Sequence, residues 1–139
     1  MKSTTVRFTD TDKAFIDSLP IEAVILFGSQ AQNAASKMSD YDVGVIIKPN
    51  QSTISRKQRY DALYDLLSNK INRLVNIDIV FLDTTPLELQ YHVSKYGIVL
   101  YERNGQTFNQ FRESVMIKYA DFAPLREQFQ KATLARIPS

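Results

Sequence analysis

A Gly-Ser pair and three aspartates are the residues of this chain whose types and spacing could do chemistry. Asp40 and Asp42 stand one residue apart where the apolar run "YDVGVII" (Tyr41–Ile47) begins. A strand alternates its side chains with period two, so both carboxylates project from one face. Two such charges resist joint ionisation unless a cation lies between them. Oxygen-only ligation suits Mg²⁺, which completes its shell with water and substrate phosphates. Gly44 shares that face and is expected to leave room beyond the pair. Without its context the pair reads first as the polar, exposed start of a strand, and only then as a metal site.

Gly28-Ser29 follows the apolar run "EAVILF" (Glu22–Phe27). A residue without Cβ permits a tight turn and close approach of a ligand. Ser29 offers a hydroxyl and a backbone N–H to an anion, and a helical segment starting near Gln30 would add its positive end. Asp78 is the third element. In "VNIDIVF", Val75, Ile77, Ile79 and Phe81 share one face, and Asn76, Asp78 and Val80 share the other. An acid within an apolar strand costs desolvation energy unless it has a partner. Beside Asp40 and Asp42 it would complete a cluster able to hold two Mg²⁺ and to support in-line transfer at a nucleotide α-phosphate. The alternative is an edge-strand aspartate facing water.

The elements that must position these residues can be read in order. "TDKAFIDSLP" forms a first helix, capped by Thr11, with Phe15, Ile16 and Leu19 as its apolar stripe and Pro20 as its stop. Glu22–Phe27 and Tyr41–Ile47 are strands, the second closed by the turn Lys48–Asn50. A long helix runs from Ser52 to Leu74, with Leu63, Leu66, Leu67, Ile71 and Leu74 at helical spacing. Val75–Leu82 is a third strand, Pro86–Tyr96 a helix ended by Gly97, and Ile98–Glu102 a fourth strand. From Thr107, Phe108, Phe111, Val115, Tyr119 and Phe122 form a helical seam that breaks near Pro124, with a last helix beyond. This alternation predicts an α/β or α+β layer fold in which helices cover a small mixed sheet of about four strands. The third and fourth strands are expected to be able to pair.

A length of 139 residues suggests one domain, 1–139, with its core at about 21–102 and a helical tail at about 104–137. With 44% hydrophobic and 23% charged residues the composition is that of a soluble globular protein. The absence of cysteine excludes disulfides and thiolate metal sites, and a reducing cytoplasm is the expected compartment. The first residues hold no apolar signal segment, and no stretch is long enough to span a membrane. A formal charge of +2 argues against nucleic acid as a direct partner. The charge is uneven: residues 103–139 carry 6 Lys/Arg against 3 Asp/Glu, a net of +3. That segment is a solvated basic helix face, or a contact surface for an acidic partner or a nucleotide.

Gly28-Ser29, ten intervening residues, Asp40-Tyr41-Asp42 and a later strand aspartate, Asp78, resemble the G-S-x10-D-x-D signature of the polymerase-β-type nucleotidyltransferase superfamily. The small size makes the chain similar to minimal nucleotidyltransferases, specifically the MntA-type antitoxins that pair with HEPN ribonuclease toxins. "PLELQYHVSKYGIVLYE" (Pro86–Glu102) also resembles that family's late helix–strand unit. The resemblance spans about Ile21 to Glu102 firmly and the tail loosely. It implies a nucleotidyltransferase fold in which Gly28 and Ser29 hold the triphosphate and Asp40 and Asp42 ligate two Mg²⁺. Asp78 would complete the metal site and help deprotonate the acceptor. It further implies ATP as donor, a tyrosine hydroxyl of a HEPN toxin as acceptor, and a toxin silenced by the AMP it receives. Members often read G-S-x-A-R-G, whereas this chain has "GSQAQN". Gln32 stands where an arginine is common and Asn33 where glycine is. A missing guanidinium removes a bidentate anion contact, for which Lys37 is a candidate substitute.

Two other readings stay open: an antitoxin that only covers the toxin's active site, and a small-molecule nucleotidyltransferase. The latter usually needs an additional helical domain for which this length leaves little space. His92, the single histidine, lacks companions for a metal site and reads as structural or surface. Tyr41 points away from the aspartates and reads as core. Arg56, Lys57 and Arg59 read as a solvated helix face, with contact to a phosphate or partner as the alternative. The Phe108–Phe122 stripe is core or interface.

Overall fold

β1, Ile21–Phe27, is buried at all seven positions, Glu22 included. A strand with that pattern needs neighbours on both edges and cover on both faces. A computed structural model of the chain, which describes residues 6–31, 40–48, 54–71 and 75–135, provides both. The four-stranded sheet has the order β3-β2-β1-β4, with β2 at Tyr41–Ile47, β3 at Ile77–Phe81 and β4 at Ile98–Glu102. β1 pairs antiparallel with β2 and with β4, whereas β2 and β3 run parallel. A parallel pair requires a crossover, and α2, Arg56–Lys70, supplies it. The expected pairing of the third and fourth strands does not occur, because β3 and β4 are the two opposite edges.

Two clusters cover the two faces. On one, Val24, Leu26, Val43, Val45, Ile77 and Ile79 meet Ile16 of α1 (Asp10–Ser18) and Leu63 and Leu67 of α2. Tyr41 belongs here, 2% exposed, as expected of a residue pointing away from the aspartates. On the other face, Ala23, Ile25 and Phe27 meet Leu82 and Val93, with Phe108 and Phe111 at the margin. Val93 lies in α3, Leu87–Tyr96, and the two phenylalanines in α4, Thr107–Ala135. Tyr91 of α3 stacks on Tyr119 of α4, ring centroids 3.8 Å apart. Most of the Phe108–Tyr119 stripe is therefore an internal seam against α3 and the sheet, and the side chain of Phe122 lies outside the described residues.

The helix ends follow local chemistry. α1 is capped by Thr9, not by Thr11: the Thr9 hydroxyl accepts from the Asp12 N–H at 3.1 Å, and the Asp12 carboxylate accepts from the Thr9 N–H at 2.9 Å. Thr9 wins because a carboxylate stands three residues after it, which completes a capping box. Phe15, expected in the buried stripe, is 43% exposed, while Ile16 and Leu19 turn inward. Ser55 and Gln58 form the same kind of box on α2. The expected ends of that helix, Ser52 and Leu74, lie outside the described residues. α4 runs through Pro124 without the expected break. A proline inside a helix removes one N–H and crowds one turn, which bends a helix that is held elsewhere without ending it. No helix among the described residues is long and apolar enough to cross a membrane.

Candidate active site

Register brings the sequence candidates together. Phe27 is the Cα partner of Asp42 across β1 and β2, and Asp42 is the partner of Asp78 across β2 and β3. Directly paired residues share a face, and neighbouring strands lie about 4.8 Å apart. The end of β1, Asp42 and Asp78 thus form one row across three strands. Asp40 stands just before β2 on the same side.

The chain leaves β1 through a 3₁₀ turn, Gly28–Gln30, closed by the Ala31 N–H on the Gly28 carbonyl at 3.1 Å. Gly28 has φ +75°, a left-handed conformation open to glycine. A Cβ there would overlap Oδ2 of Asp42 and lie 3.2 Å from its Cγ. The close approach that glycine permits is therefore that of the Asp42 carboxylate to the turn, which joins the two halves of the motif physically. Ser29 follows within the turn. Gln30, where a helical segment is expected to start, is the last residue of this turn, and the rest of that segment, with Gln32, Asn33 and Lys37, lies outside the described residues.

Asp42 is half-buried, whereas Asp40 and Asp78 are exposed. Its carboxyl is held above the ordinary carboxylate range, first by burial and then by the charges of Asp78 and Asp40, with His92 pulling the other way. These are the conditions in which a cation is favoured: oxygen donors only, like charges converging, one of them partly desolvated. The residues fit a hard divalent ion whose shell is finished by water and substrate oxygens. Among the described residues no group of three or more His, Asp or Glu side chains is placed to hold a metal ion by itself, so water and substrate oxygens would have to supply the rest of the shell.

Two expectations are corrected here. Gly44 does not leave space for a ligand. A Cβ there would meet Leu82 Cδ1 at 3.0 Å, so the room beyond the pair is filled by the 3₁₀ turn Leu82–Thr84 that follows β3. Arg56, its side chain 40% exposed, is not a free cation on a solvated face: its guanidinium takes both carboxylate oxygens of Asp83 and lies 5.0 Å from the centre of the Phe81 ring. Arg59 is buried and donates to the carbonyls of Leu19 and Ile54, each at 2.7 Å. Lys57 alone behaves as read, exposed and paired with Asp61.

His92 is a packed, half-buried residue, in keeping with a structural role, and it also lies next to the site. Its ring is edge-on to Phe27, centroids 6.5 Å apart, and its charge is felt at Asp42. The signal was present in helical phase: Leu89 and Val93 face the sheet, and His92 stands at the border of that stripe.

A strand ending in a Gly-Ser turn, an antiparallel partner carrying D-x-D and a parallel neighbour carrying a third aspartate define the nucleotidyltransferase class of fold and site. The family model described as "Polymerase beta, Nucleotidyltransferase" matches residues 11–106, and the chain belongs to that family. No curated protein sequence matches it. Solved structures resemble it over nearly their whole length. A toxin–antitoxin structure with AMP-PNP has 20% identity and a TM-score of 0.65, covering 88% of this chain and 98% of its own. A tri-AMPylated Shewanella oneidensis HEPN toxin in complex with MNT antitoxin gives 19% and 0.60, covering 88% and 95%. An MntA-HepT toxin-antitoxin gives 18% and 0.59, covering 91% and 99%. Identities this low speak for a shared fold.

Proposed function

We propose that the chain is the antitoxin of a HEPN/MNT pair, a Mg²⁺-dependent transferase that moves AMP from ATP to a tyrosine hydroxyl of its HEPN ribonuclease toxin. The observation that supports this is that Asp42 pairs across the sheet with Asp78 and lies against the Gly28 turn. Support for the partner comes from the solved structures of the same fold, one with AMP-PNP and one with a tri-AMPylated HEPN toxin.

Gly28 and Ser29 present the turn's backbone to the triphosphate. Asp40 and Asp42 would hold two Mg²⁺, and Asp78 would complete that set. When bound, Mg²⁺ neutralises the developing charge on the α-phosphate and on the departing oxygen. Asp78, exposed on the edge strand, faces the side from which an acceptor arrives. It takes the proton of the tyrosine hydroxyl as the new oxygen–phosphorus bond forms. The bond from the α-phosphorus to the bridging oxygen breaks, and pyrophosphate leaves.

The test is transfer of label from α-labelled ATP, with Mg²⁺, to a HEPN-family toxin or to a protein in host lysate, with a γ-labelled control. Asp40→Asn, Asp42→Asn and Asp78→Asn should each abolish labelling while folding survives. Retained transfer in all three sinks the proposed site. Protection against the toxin by an Asp40→Asn/Asp42→Asn protein that transfers nothing would instead identify an antitoxin that acts by occlusion. The departure at Gln32 is the feature that keeps this second reading in view.

A further inference from the structure

The rim at the C-terminal end of α3 has no part in the roles assigned above. Ile98, two residues beyond α3, is the Cα partner of Leu26, so this end of the helix meets the end of the sheet that carries the Gly-Ser turn. His92 stands there against Phe27, the residue before Gly28. One helical turn on, Tyr96 tilts against His92 with ring centroids 5.1 Å apart. Tyr96 is 45% exposed, an uncovered ring at the end of the sheet that carries the row of carboxylates. Lys95 lies 5.7 Å from the centre of the Tyr96 ring, so the aromatic surface carries a cation at its margin.

A nucleotide whose phosphates lie at Gly28 and Asp42 must put its base on some surface within one nucleotide's reach. A base is flat and apolar on its faces, so stacking on rings is its favoured burial. We propose that His92 and Tyr96 form the shelf on which the nucleobase of the donor nucleotide lies; this rests on the nucleotidyltransferase reading. Such a shelf accepts every base through its π-face, and it makes the protein favour a nucleotide over the bare phosphate chain.

Calorimetric titration of the full chain with AMP-PNP and, separately, with inorganic tripolyphosphate, both with Mg²⁺, tests this. Tyr96→Ala should weaken AMP-PNP about 5- to 100-fold, the range seen when a stacked base loses its ring. Its affinity for tripolyphosphate should be unchanged, and Tyr96→Phe should bind AMP-PNP as the wild type does. His92→Phe, which keeps a ring, should retain affinity where His92→Ala loses it. Equal loss for both ligands, or no loss for either, overturns the shelf. A wild type that binds no AMP-PNP overturns the nucleotidyltransferase reading and the shelf with it. AMP-PNP binding that is indifferent to both alanine variants overturns the shelf alone.

Discussion

Gly28→Ala strikes the point where turn and catalytic strand touch. The backbone there has φ +75°, which costs an alanine roughly 1–2 kcal/mol. The added methyl would overlap Asp42 Oδ2 and stand 3.2 Å from Asp42 Cγ, inside the 3.5–4.0 Å of an ordinary carbon contact. Relief requires the carboxylate to swing away by about 1 Å, which can cost a reacting site on the order of 100-fold in rate. Together the two effects should destabilise the fold by about 2–3 kcal/mol and lower the melting temperature by roughly 5–12 °C. Thermal unfolding in Mg²⁺-free buffer, alongside transfer of α-label, measures both. The collision is isolated by repeating the substitution in an Asp42→Ala background. There the stability penalty should shrink to the backbone part, about 1–2 kcal/mol. An equal penalty in both backgrounds would refute the contact, and an unchanged melting point with full transfer would refute the whole argument.

Three further outcomes follow from the same geometry. The Asp42 carboxyl keeps its proton to higher pH in the fold than the 3.8 of a free aspartate, because of burial and then of Asp78 and Asp40, so the folded state binds more protons than the unfolded one. Its contribution to stability therefore falls as pH rises from that value through the raised one. Without Mg²⁺, Asp42→Asn should melt a few degrees above the wild type at neutral pH, a gap closing toward pH 3. Mg²⁺ should raise the melting point of the wild type only. Gly44→Ala should cost about 1–3 kcal/mol by pressing on Leu82, which stands 3.0 Å from the added carbon, and Leu82→Val should recover part of it; urea unfolding decides. Arg103→Ala leaves Glu22, whose side chain is 6% exposed, without the guanidinium 3.0 Å away. With Arg103 itself 36% exposed, the loss should be about 1–3 kcal/mol, and Glu22→Gln should offset it.

Much of this protein was legible in one dimension. Continuous apolar runs gave the strands almost to the residue, since Tyr41–Ile47 and Ile98–Glu102 stand as read. Period-two alternation placed Asp40 and Asp42 on one face and Tyr41 on the other, because strand geometry is local. Fixed spacing pointed to the family for the same reason: a turn and two strands of constant length demand constant offsets. What only the tertiary structure decided depends on which strands become neighbours. Sequence patterns carry no pairing partner, so β3 and β4 could be imagined together until β2 took β3 and β1 took β4, leaving those two at opposite edges. Register, a property of pairs, set Asp42 opposite Asp78 and under Gly28, and gave that glycine its reason. Gly44 and Leu82 meet only because the turn after β3 folds back over the sheet, and His92 reaches Asp42 only because α3 packs across β1. Local propensity specifies elements; the burial of their faces against one another chooses which side chains share a site.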